Sequence, residues 1–276
     1  MTTQTMTTGD GATLSVRVWE KPGTVAGATP RDILLVHGFP ASGGTFAALA
    51  EIMLLGASDA TLRLVAPDLR GYGDSDKPAT GYTCDRFAAD VSEVATALNL
   101  RDYLLVGHSM GGKIAQIVAA TKPAELDALA LITPGLLAPS LSLPDLADRL
   151  AAHSDAAKTR ALLSGWAAHP LDANDEEAVT ADGLRVGADA WRGWLETMRG
   201  EDFAAHAARI AVPTLVIGAG KDPQRTEAEL QGVVESIAGA KYARLPMSGH
   251  LPHLEDPVTL AMTLSNFLDG LPVETA

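Results

Sequence analysis

The chain has 276 residues, 47% hydrophobic and 20% charged, which supplies a sizeable core and excludes a disordered or low-complexity protein. Lysine and arginine number 21 against 34 aspartates and glutamates, so at a formal charge of −13 a nucleic acid would meet net repulsion and makes a poor partner. Cys84 is the only cysteine, which excludes an internal disulfide framework and any Cys-rich metal site.

From the N-terminus, Met1 to Asp10 is threonine-rich and lacks a basic stretch followed by an apolar one, so no secretory signal is predicted and a cytoplasmic protein is expected. Thr13 to Trp19 reads as a weak strand. Stronger ones follow at Asp32 to His37, Leu62 to Pro67, Tyr103 to Gly107, Ala128 to Thr133 and Pro213 to Gly218, with a last weak one at Lys241 to Leu245. Their near-continuous apolarity predicts burial on both faces, as in a parallel sheet covered by helices. Helical spacing occupies Asp85 to Leu98 and Pro257 to Leu268, and Ile114, Ile117 and Val118 continue it after Gly111 until Pro123. The longest mainly apolar run, Leu126 to Pro139, is interrupted by Pro134 and Gly135 and falls short of the roughly 20 residues a membrane span needs. No membrane association is expected.

The strand signal stops between about Pro134 and Ile210, where only helical patterns remain, such as Leu143, Leu146 and Leu150. The expected organisation is therefore an α/β core of residues 1–133 and 211–276 with a helical insertion at 134–210. Trp166, Trp191 and Trp194 lie inside that insertion and are candidates for a pocket wall, with core packing as the alternative for each.

The sharpest local signal is Gly107-His108-Ser109-Met110-Gly111-Gly112, between a predicted strand and a predicted helix. A serine at such a turn sits in a strained backbone conformation that presents its hydroxyl at the carboxyl edge of the sheet. The following helix aims its N-terminal N–H groups at the same place, which suits an oxyanion. A serine hydroxyl needs a base within hydrogen-bond reach and a third group to orient that base. Asp222, past the strand ending at Gly218, and His250, past the strand ending at Leu245, fall at the same predicted edge. The alternatives are a turn or helix-cap carboxylate for Asp222, and for His250 a loop histidine, with His253 as competitor for the base.

Four blocks together resemble the α/β-hydrolase fold superfamily, serine hydrolase type. They are His37-Gly38-Phe39-Pro40, Asp68-Leu69-Arg70-Gly71-Tyr72-Gly73-Asp74-Ser75, the serine elbow, and Ser248-Gly249-His250 with Pro252-His253-Leu254-Glu255-Asp256-Pro257. The resemblance covers nearly the whole chain apart from the insertion, which looks like the family's variable helical cap. It implies a mostly parallel central sheet flanked by helices, with Ser109 as nucleophile, His250 as base and then acid, and Asp222 as the orienting acid. It also implies an oxyanion hole built from the backbone N–H groups of Phe39 and Met110.

Of the other histidines, His108 is expected to pack or line the pocket, since adjacent side chains on a sharp turn diverge, and His37 to fix the backbone of the Gly38-Phe39 turn. A metal reading of His250, His253 and Glu255 fails because Pro252 and a predicted loop give no common face. No phosphate loop or dinucleotide fingerprint is present, and no cofactor is called for. The expected activity is hydrolysis of a small, mainly apolar carboxylic ester or lactone through an acyl-enzyme. Carbon–carbon bond hydrolysis and a perhydrolase activity like that of the non-haem haloperoxidases would use the same residues and stay open, as does a slow or non-catalytic small-molecule receptor. The oligomeric state has no signature in the sequence.

Overall fold

A computed structural model describes residues 1–21, 31–57, 61–140, 143 and 145–271. Among these residues, eight strands form one sheet: β1 (Thr2–Thr7), β2 (Thr13–Lys21), β3 (Arg31–Val36), β4 (Leu62–Pro67), β5 (Tyr103–His108), β6 (Leu126–Ile132), β7 (Thr214–Ala219) and β8 (Lys241–Leu245). Their spatial order is β1-β2-β4-β3-β5-β6-β7-β8. The two strands at the β1 end run antiparallel, and β3 to β8 are all parallel.

The helices are α1 (Ala47–Gly56), α2 (Cys84–Ala97), α3 (Met110–Ala120), α4 (Leu146–Ala152), α5 (Ala156–Ser164), α6 (Ala173–Arg185), α7 (Ala188–Arg192), α8 (Glu227–Ser236), α9 (Pro252–Glu255) and α10 (Pro257–Asp269). Strand alternation divides the apolar side chains between two cores. Leu34, Val36, Leu105, Leu129 and Leu131 face the side covered by α2, α3 and α8. Ile33, Leu35, Leu104, Val106, Ala130 and Ile132 face the side covered by α1 and α10. Burial on both faces explains why these strands read as continuous apolar runs.

Capping sets several helix starts. The Thr83 side chain accepts from the Arg86 amide at the start of α2, and Asp85 in its first turn favours the positive end of the helix dipole. Thr226 and Glu229 form a reciprocal capping box at α8. Pro257 occupies the first turn of α10, where no amide is needed.

The sequence expectation misses β1. Its side chains are exposed except for half-buried Met6, so an edge strand in water carries no alternation to read. It also gives no signal for α1 or α8. Between β6 and β7 the described residues form α4 to α7 and three short irregular helical turns, Gly193–Thr197, Met198–Gly200 and Ala204–Arg209, with no strand among them. Among the described residues, no helix is long and apolar enough to cross a membrane.

Candidate active site

All three parts of the site hang from the carboxyl ends of parallel strands. Ser109 is the single residue between β5 and α3, with φ 50° and ψ −116°, in the left-handed region that side chains other than glycine avoid. Close packing enforces the turn. A Cβ on Gly111 would come within 2.2 Å of the Val36 carbonyl oxygen, and one on Gly38 would meet His108 Nδ1 at 2.7 Å and Ser109 Cβ at 3.0 Å. The end of β3 and the Gly38-Phe39 turn therefore press directly on the elbow. Met110 opens α3, so its amide belongs to the first turn, which has no acceptor within the helix.

The His37 ring fixes the Gly38-Phe39 turn. Its Nε2 accepts from the Leu69 amide at 3.0 Å, and Nδ1 lies 2.9 Å from the Gly38 carbonyl, to which it donates. Burial pushes this imidazole below its ordinary pKa, in keeping with a neutral ring used in one tautomer.

Asp222 follows β7 and is held by its own turn. Its Oδ1 accepts from the amides of Gln224 at 2.6 Å and Arg225 at 3.1 Å, leaving Oδ2 for His250 Nδ1 at 2.8 Å. His250 Nε2 in turn lies 2.8 Å from Ser109 Oγ. A carboxylate can only accept, so the Asp222 contact places the imidazole proton on Nδ1 and leaves the Nε2 lone pair facing the serine hydroxyl. The Asp222 and His250 side chains are 0% and 4% exposed, which excludes competing water from the pair. Ser109, Asp222 and His250 are 113 and 28 residues apart along the chain and meet in one hydrogen-bonded line.

The His250 loop is clamped from several directions. Glu255 accepts from the amides of Gly249 at 2.9 Å, Leu251 at 3.1 Å and Ala168 at 2.7 Å, so one carboxylate ties both neighbours of His250 to the helical region. The His250 amide donates to the Trp166 carbonyl at 2.7 Å, and the Trp166 ring stands edge-on to the imidazole at 5.9 Å. His108 Nε2 donates to the His250 carbonyl at 2.8 Å. His253 packs on the His108 ring at 4.4 Å, and burial pushes its pKa down to about 3. Both rings are buried, and among the described residues His253 makes no hydrogen bond to Ser109. Among the described residues, no group of three or more histidine, cysteine or acidic side chains is arranged to hold a metal ion.

A cavity of about 410 Å³ opens over Ser109 and His250. Phe39, Trp166, Trp194 and Leu143 line it, together with Ser140, Asp145, Arg149, Arg199, Gln224, Arg225 and Glu229. Two expectations need correction. Trp191 is not part of this lining: its indole N–H donates to the Arg149 carbonyl at 3.0 Å and its ring backs Phe39 at 4.6 Å, so it supports the wall from behind. The mainly apolar substrate expected from the sequence does not match the wall either, because charged and amide side chains make up much of it. The sequence offered one clue to these residues, Arg225, three positions beyond Asp222 in the same loop. Arg149 and Arg199 lie in the insertion, where sequence alone fixes no helix phase.

A sequence profile described as alpha/beta hydrolase family matches residues 33–263, and the chain belongs to that family. It is 29% identical to a non-heme chloroperoxidase of Streptomyces lividans, over 95% of this chain and 99% of that protein. In fold it resembles an esterase from Exiguobacterium antarcticum, with a TM-score of 0.83 and 21% identity over 96% of this chain and 99% of the other. It also resembles an enol-lactonase from Burkholderia xenovorans LB400, with a TM-score of 0.80 and 20% identity over 96% and 100% of the two chains.

Proposed function

We propose that the protein is a serine hydrolase of small carboxylic esters or lactones that works through an acyl-enzyme. The observation that carries this reading is the unbroken line from Asp222 Oδ2 through the His250 ring to Ser109 Oγ, with both contacts at 2.8 Å. His250 Nε2 takes the Ser109 proton as Oγ attacks the substrate carbonyl. The buried Asp222 carboxylate stabilises the imidazolium that forms. The amides of Phe39 and Met110 are the donors proposed for the oxyanion of each tetrahedral intermediate. His250 then protonates the leaving alkoxide, and the acyl group remains on Ser109. Water, deprotonated by His250, attacks the acyl carbon, Oγ regains its proton, and the acid leaves. The balance is ester plus water to acid plus alcohol. Residues 134–210 act as a cap over this site, with Trp166 and Trp194 as the wall nearest the reacting bond.

The similarity to the Streptomyces chloroperoxidase favours one second reading, in which hydrogen peroxide replaces water in deacylation and releases a peracid. Stopped-flow hydrolysis of a 4-nitrophenyl ester tests the main reading. A burst of nitrophenol matching the enzyme concentration is expected, and a Ser109→Ala variant should lose it. Equal turnover by that variant would refute the mechanism. Added peroxide with a carboxylic acid distinguishes the second reading, which requires peracid formation dependent on Ser109.

A further inference from the structure

The cavity concentrates positive charge in a protein whose formal charge is −13. Arg149, Arg199 and Arg225 line it beside Ser109 and His250. Arg149 and Arg199 are 8% and 9% exposed, and the Arg225 side chain 11%. Two of the three have evident employment. Arg149 Nε donates to Asp145 Oδ2 at 2.8 Å and Nη2 to Gln224 Oε1 at 2.9 Å, with the guanidinium 5.2 Å from the Trp166 ring centroid. Arg225 donates to the carbonyls of Pro134 at 3.0 Å and Gln224 at 2.8 Å, with Glu229 at 4.0 Å.

Arg199 differs. Its one side-chain hydrogen bond among the described residues is a long one, 3.3 Å from Nη2 to Ser140 Oγ. It has no carboxylate within ion-pair range among the described residues, and its buried Nη1 has no hydrogen-bond partner there. Asp145 attracts this guanidinium from beyond ion-pair range, which leaves it buried without a direct charged partner, and a charge-assisted one would relieve that cost. Burial, followed by repulsion from Arg225 and Arg149, lowers its pKa to about 10, so it stays a cation at neutral pH.

We propose that the substrate carries a carboxylate as well as the reacting ester or lactone, and that Arg199 binds this carboxylate with Arg149 and Arg225 flanking it. The assignment rests on the serine hydrolase reading for the reacting end of the substrate. Three guanidiniums against Asp145 and Glu229 leave one positive charge unmatched in the lining, which fits a singly charged group. The planar fork of Arg199 suits the two oxygens of a carboxylate. A phosphate monoester, with nearly two charges, would exceed that balance.

Two matched esters test this: the 4-nitrophenyl half-ester of glutarate, and its neutral counterpart with a primary amide replacing the free carboxylate. Wild-type kcat/KM should favour the charged ester by about tenfold or more. Arg199→Met should collapse that ratio mainly through KM, and Arg199→Lys should restore part of it. Should Arg199→Met fail to fold, the wild-type ratio and the lysine variant still decide. A neutral ester turned over as well as the charged one would overturn the proposal and leave the hydrolase reading intact. An equilibrium arm separates the two readings: Ser109→Ala is titrated, by tryptophan fluorescence, with the glutarate monoanilide and its neutral amide. Selective binding of the anion supports the carboxylate site even if the wild type shows no turnover, a result that would instead refute the hydrolase reading. Tighter binding of the phosphonate analogue than of the carboxylate would overturn the carboxylate assignment.

Discussion

The two walls of the cavity are built on different principles. On the sheet side, Ser109, Asp222 and His250 lie in the turns and loops that follow β5, β7 and β8, and backbone contacts hold each: the positive φ of Ser109, two amides on Asp222, and the amides beside His250 bound by Glu255. On the insertion side, side chains touching side chains fix the wall, with Trp191 behind Phe39 and Arg149 against Trp166. Geometry anchored to strand ends tolerates little change, whereas a wall of packed helices can be re-lined without moving the reacting atoms. Chemistry is thereby separated from selectivity.

Substitutions on the two walls should therefore differ in kind as well as size. The largest effect is expected at Ser109: Ser109→Ala should lower kcat on an aryl ester by about 10⁴-fold or more, with fold intact by circular dichroism. Asp222→Asn keeps the shape but can present the wrong partner to Nδ1, and should cost roughly 10³- to 10⁴-fold in kcat. Across the cavity, Trp191→Ala should cost about 3–5 kcal/mol in urea unfolding, because it removes a side chain 1% exposed that bridges Phe39 and the Arg149 carbonyl. Trp194→Ala, at the lining itself, should shift acyl-length preference more than stability, as read from kcat/KM over an ester series. If Trp191 and Trp194 variants shifted preference equally, the distinction between supporting and lining residues would fail.

Glu255→Ala would leave the amides of Gly249, Leu251 and Ala168 without their acceptor, and about 1–3 kcal/mol of stability should be lost together with roughly tenfold in kcat. A loss of stability with unchanged kcat would show that the clamp does not position His250. Stability should also depend on pH, with no effect at neutrality. Burial lowers the folded pKa of His253 to about 3, far below the ordinary 6.5. Between those values the unfolded chain binds a proton that the folded one does not. The stabilisation is complete above about pH 6.5 and is lost as the pH falls from there toward 3, by up to about 1.4 kcal/mol per pH unit for that group. Urea midpoints of wild type and His253→Gln should converge in slope above pH 6.5 and differ below it.

Much of the sheet-side wall is legible in the sequence. The bounds of β4 and β8 match the predicted runs residue for residue, and Ser109, Asp222 and His250 each follow the strand from which the sequence assigns them to the carboxyl edge. The strands are legible because a buried parallel strand leaves an apolar run in sequence, and the turn after it inherits a known edge. The insertion gave no such handle. One residue of helix rotation exchanges wall for exterior, so the sequence neither takes Trp191 out of the lining nor marks Arg199 as part of it. The exposed strand β1 escaped for the related reason that neither of its faces is buried.

The central claim, that Ser109 is a nucleophile activated through His250 and Asp222, is tested most directly by a fluorophosphonate followed by peptide mass spectrometry. The account predicts one stoichiometric adduct on Ser109, formed in step with loss of esterase activity and slowed severely in Asp222→Asn. An unmodified Ser109, or ester hydrolysis that survives its modification, would contradict it.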